Sequence, residues 1–124
     1  MSSEVRVTIP AAARFLRIAR LTAAGVAGDA GFDLREIEDL RVAVDEMCAV
    51  VIEDAPSGAE LSLSYRSGDG RLEIAGSCPQ STPPPDIHPI ARELLALTAD
   101  EFDVGSDGNR RTFRLVKQRT DRSA

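Results

Sequence analysis

Glu46 is the carboxylate whose setting could serve chemistry, although by residue type alone a helix carboxylate reads first as solvated or cap-satisfied. A carboxylate can act as a general base, and four residues on, one helical turn away, stands Val50, so the two side chains share a face. Val42 and Ala43 lie on that face too, which sets Glu46 in a partly apolar wall. Three arginines, Arg14, Arg17 and Arg20, recur at three-residue spacing and make a slowly drifting basic stripe, which by itself reads as a solvated face ahead of a partner site. Asp45, beside Glu46, is read as solvent-facing or paired with Arg41 one turn back. His88 is the lone histidine. It has no Ser, Cys or carboxylate partner at a motif spacing, so it is read as loop structure rather than as a catalyst.

The element that must carry Glu46 runs from Asp33 to Ala55. Ile37, Leu40, Val44, Met47, Cys48 and Val51 recur with helical period, and Glu46 with Val50 falls on the opposite side. A helix apolar on two sides is buried between layers or walls a pocket. Asp33 followed by Glu36 reads as its N-cap and capping box.

Around this helix the chain reads in order. Glu4 to Ile9 alternates as a half-buried strand, and Pro10 fits the first turn of a helix carrying Phe15, Leu16, Ile18, Ala19 and Leu21 that fades after Ala24. Gly25, Gly28 and Gly31 suggest a phosphate loop, but they follow no strand and no GK[ST] accompanies them, so they are read as cap and turn residues. Glu60 to Tyr65 and Arg71 to Ala75 form a hairpin around SGDG. Gly76 to Pro89 is a Pro-rich loop, long enough for a small domain to suggest a function. A short helix from Pro89 to about Thr98 carries Ile90, Leu94, Leu95 and Leu97. A last hairpin, Phe102 to Val104 and Arg111 to Val116, closes through GSDGN, with Phe113, Leu115 and Val104 toward the core.

The order β-α-α-β-β-loop-α-β-β predicts one α+β domain over residues 1–124. Its architecture is a two-layer α/β sandwich, with helices on one face of a mixed, mostly antiparallel sheet and a frayed tail over 117–124. With 124 residues the chain needs neither disulfide nor metal to fold. A net charge of −5 argues against nucleic-acid binding. Cys48 and Cys78 make neither a CxxC nor a zinc spacing and are read as reduced, Cys78 just after a strand. The N-terminus lacks a signal-peptide pattern and no apolar run reaches about 20 residues, so the expectation is a soluble cytoplasmic protein.

The run AVDEMCAVVIEDA, Ala43 to Ala55, resembles the first nucleotide motif of the RsbW-type anti-sigma factors, small serine kinases of the GHKL (Bergerat) ATPase superfamily, where the pattern is close to AVDEACTNAVEHA. Ala43, Val44, Asp45, Glu46, Cys48, Glu53 and Ala55 match. RIARLT, Arg17 to Thr22, resembles the first-helix segment by which such proteins hold their sigma factor, and the terminal VGSDGNRRTFRLVK is similar to the family's closing hairpin. The resemblance implies a Bergerat-like fold, Glu46 as general base, and a sigma factor or a STAS-domain anti-anti-sigma protein as partner. It also implies homodimers and ATP with Mg²⁺ as cofactor. The departures are as specific as the matches. Val50 stands where the family has the Asn that coordinates Mg²⁺, and Val offers no lone pair to a hard cation. AGSCPQST from Ala75 replaces the adenine-binding DxGxG, and DIHPIARELLAL from Asp86 replaces the Gly-rich lid. The expectation is a degenerate member that binds partners through Arg14, Arg17 and Arg20, with no cofactor and Glu46 and Val50 as remnants of the nucleotide motif. The alternative is an active serine kinase acting on a STAS-domain antagonist.

Overall fold

The long helix forms where the sequence places it. The computed structural model describes residues 2–80 and 82–120, and in it α2 spans Leu34–Ile52. Asp33 caps α2 by accepting the Glu36 amide at 2.8 Å, while Glu36 returns a carboxylate oxygen to the Asp33 amide at 2.8 Å, so both halves of the capping box are made. Leu40, Val44, Met47, Cys48 and Val51 are fully buried along one side. Burial pushes the Cys48 thiol well above its usual range, and the neighbouring Asp45 adds to the shift.

Five strands build the sheet: β1 Ser3–Pro10, β2 Glu60–Gly68, β3 Arg71–Pro79, β4 Glu101–Asp107 and β5 Arg110–Gln118. Their order is β1-β2-β3-β5-β4 and every pairing is antiparallel, which corrects the mixed sheet expected. β1 reaches its neighbour β2 through the two long helices and β3 reaches β4 through α3; β5 then enters between β3 and β4, so those two run in the same direction without pairing. The Asp69–Gly70 turn has positive φ at both positions, the geometry a tight hairpin needs. Inside the sheet Gly76 lies opposite Phe113, and a Cβ there would meet the ring at 2.2 Å, so the absence of a side chain lets the ring lie across β3. Cys78 lies within β3 and is buried, rather than following the strand.

Helix α1, Leu16–Asp29, packs on α2 and β2. Ala19, Ala23 and Ala27 are fully buried at four-residue spacing, so small side chains bring its backbone close to its neighbours. The Tyr65 hydroxyl of β2 donates to the Ala19 carbonyl at 2.9 Å, tying helix to sheet. Three expectations are corrected here. Pro10 closes β1, paired with Glu60, and a short 3-10 helix, Ala13–Phe15, precedes α1. The helix passes through Gly25 and Gly28, because the buried alanines offset a glycine cost of about 1 kcal/mol each. Ile18 and Leu21 face outward, 40% and 57% exposed.

Helix α3 spans Pro89–Thr98, as expected, but only Leu95 of its four large apolar residues is fully buried; Ile90 and Leu97 are mostly exposed. The last hairpin turns tightly at Gly108–Asn109, so Gly105 to Asp107 belong to β4. Lys117 and Gln118 belong to β5, and the Thr120 amide donates to buried Glu36 at 2.7 Å, so the fraying expected from Lys117 does not hold through Thr120. Residues 121–124 of that stretch lie outside the described residues.

Candidate functional site

Helical spacing decides what α2 shows to the side away from its buried stripe. Glu46, Ala49, Val50 and Glu53 fall at i, i+3, i+4 and i+7 and form one wall of a cavity of about 640 Å³. Ala11, Ala12, Ala13 and Leu16, from the link between β1 and α1, supply a second wall. Pro85, Asp86, His88 and Ala91, from the Pro-rich loop and the first turn of α3, supply a third. Glu46 and Val50 are thus brought together and face a real cavity. Ala43, expected on the same face, is fully buried and does not line it.

The charge in this cavity is of one sign. Glu46, Glu53 and Asp86 contribute carboxylates, and among the described residues no Lys or Arg lines it. His88 is the N-cap of α3: its Nδ1 accepts the Ile90 amide at 3.1 Å, in agreement with its reading as loop structure. A larger depression, about 830 Å³, lies at the other end of β2 around the Asp69–Gly70 turn and Arg119, and contains neither Glu46 nor Val50.

Asp45 points away from the cavity and pairs with Arg20 of α1, not with Arg41, which binds Glu38. One residue step turns a helix by about 100°, so adjacent acids serve different surfaces. The arginine stripe is therefore divided. Arg20 is engaged by Asp45, Arg14 lies over the Phe15 ring at 4.8 Å, and Arg17 is exposed. Exposed Ile18 and Leu21 lie on the same helix among these arginines.

The C-terminal end of α2 holds two residues that sequence reasoning missed. Arg111 is 4% exposed and directs Nη1 to the Val50 carbonyl at 3.1 Å and the Glu53 carbonyl at 2.9 Å. Gln80, also buried, donates its amide to the Glu53 carbonyl at 2.7 Å. Helix C-termini carry orphan carbonyls and partial negative charge, so a guanidinium and an amide are suitable partners. The alternation of β5 carried a signal: Arg111 shares the inward face with Phe113 and Leu115, an odd place for a charge.

No protein-family model matches the chain. By sequence it is similar to the serine-protein kinase RsbW of Halalkalibacterium halodurans, 35% identical over 71 residues, which are 56% of this chain and 44% of the relative. It is similar also to the serine-protein kinase RsbW of Bacillus thuringiensis, 36% identical over 73 residues, 57% of this chain and 46% of the relative. The chain thus spans less than half the length of these curated relatives. The solved structure of the RsbU and RsbW domains of Rv1364c from Mycobacterium tuberculosis superposes on 98% of this chain and 34% of its own, with a TM-score of 0.73 at 14% identity, a likeness of fold.

Proposed function

From the premise of an RsbW-type domain, alike in sequence to RsbW kinases and in fold to an RsbW domain, we propose that this chain is a regulatory binding module. It holds a sigma factor or a STAS-type antagonist by surface complementarity, with a nucleotide pocket that has lost its chemistry. The observation that carries this reading is the cavity beside Glu46, walled by Val50 and lined by three carboxylates and, among the described residues, by no Lys or Arg.

The residues present do not fit a magnesium nucleotide. Mg²⁺ demands oxygen ligands, and Val50 supplies none at the turn next to Glu46. Phosphate groups bind where N–H groups and cations converge, whereas here they would meet Glu46, Glu53 and Asp86. Where the family has its adenine-binding DxGxG, this chain has AGSCPQST from Ala75, without an Asp, and the Gln80 amide near its end is spent on the Glu53 carbonyl. Phosphoryl transfer draws most of its rate from metal and positioned donors, so Glu46 alone does not sustain it.

The partner surface is the outer face of α1. Arg14 and Arg17 flank exposed Ile18 and Leu21, and a basic rim around an apolar patch suits a partner helix with acidic and apolar residues. The kinase alternative draws on Glu46 facing the cavity and on the name of the RsbW relatives. Titration with a fluorescent ATP analogue and Mg²⁺ separates the two. No saturation in the micromolar range is expected, and saturable binding followed by phosphate transfer to a STAS-domain protein would establish the kinase instead. Charge reversal at Arg17, with Arg14, is expected to weaken binding of a sigma factor or antagonist at least tenfold, read by titration calorimetry. Unchanged affinity would move the partner surface elsewhere.

A further inference from the structure

The wall of the cavity opposite α2 is irregular backbone, yet it is tied at several points. Ile87 is 8% exposed and belongs to the core, and His88 caps α3. The third tie is Thr82, which receives the Arg111 guanidinium twice: Nε reaches its carbonyl at 3.3 Å and Nη2 its hydroxyl at 2.9 Å. The same guanidinium holds the Val50 and Glu53 carbonyls at the end of α2. One planar fork therefore spans two elements that are distant in sequence, and its rigidity fixes their relative placement. Among the described residues its partners are carbonyl and hydroxyl oxygens rather than carboxylates. A buried cation without a counter-ion is costly, and the C-terminal dipole of α2 is what offsets it here.

We infer that Arg111 is a built-in latch: it clamps the start of the Pro-rich segment to the C-terminal end of α2 and so sets the far wall of the cavity before any ligand arrives. A nucleotide-dependent pocket would order such a wall through the ligand's phosphates; this chain orders it with its own side chain. The latch deepens the reading above as a non-nucleotide pocket. It is a positioning residue and makes no claim on chemistry.

Backbone ¹⁵N relaxation on the whole chain tests it, with wild type, Arg111→Lys and Thr82→Val, each with and without Mg-ATP. Wild type without nucleotide is expected to show order parameters of about 0.85 at Thr82, Asp86, Ile87 and His88, as for rigid backbone. Lysine keeps the charge but loses the fork, and the values for Thr82 and Asp86 are expected to fall below about 0.6 while β3 and the middle of α2 stay rigid. Thr82→Val removes only the hydroxyl and is expected to lower them less; it decides the matter if Arg111→Lys does not fold. Unchanged order in both variants would overturn the latch. Wild-type values below about 0.6 that rise on adding Mg-ATP would overturn latch and proposed function together. Saturable Mg-ATP binding with no change in loop order would overturn the proposed function alone.

Discussion

The two ends of α2 are satisfied in opposite ways. At the N-terminus, Asp33 and Glu36 complete a capping box between residues three apart. At the C-terminus, the carbonyls of Val50 and Glu53 are met by Arg111 and Gln80, from a strand and a loop far along the chain. The first end forms with the helix itself. The second exists only once β3, β5 and the Pro-rich segment have docked, and it is the end that borders the cavity.

Removing the guanidinium should show this most strongly. Arg111→Met takes the side-chain donor from the Val50 carbonyl and leaves the Glu53 carbonyl with Gln80 alone, and a buried group left unpaired costs about 1–3 kcal/mol. We expect a loss of about 3 kcal/mol in urea unfolding with the slope unchanged. A loss below about 1 kcal/mol, the ordinary net value of one hydrogen bond, would make the two ends equivalent. Next comes the local cap. Asp33→Ala should cost about 1 kcal/mol, and Asp33→Asn much less, since an amide oxygen still accepts the Glu36 amide. If Asp33→Ala proves more damaging than Arg111→Met, the comparison is inverted. The smallest effect belongs to the flank of α2. Arg20 and Asp45 are each partly exposed, and a double-mutant cycle should return about 0.5 kcal/mol, falling as salt is added.

The contrast between the ends also marks what the sequence could disclose. Residues whose partners lie within a turn were legible: the capping box at Asp33, the Asp69–Gly70 hairpin, and the start of α3 at Pro89. So was the pairing of Glu46 with Val50 on one face, because period alone sets it. Features decided by packing were not. Pro10 satisfies the rule for a helix start and equally that for a strand end, and its pairing with Glu60 settles it. The run of α1 past Gly25 depends on a buried alanine row, and the outward turn of Ile18 and Leu21 depends on which face that row occupies. Arg111 was read simply as a strand residue. Its role required knowing that α2 ends within reach of β5.

The outer rim of the sheet has a consequence for crowding. β4 is an edge strand, and Glu101, Asp103 and Asp107 repeat along it. Arg114 and Arg71 answer Glu101 from within the same molecule, so the cations that could neutralise a neighbour's rim are already engaged at home. Two copies meeting β4 to β4 would bring rows of carboxylates together, and such a contact repels. Along that border the carboxylates of Asp103 and Asp107 oppose the addition of a sixth strand from a second copy.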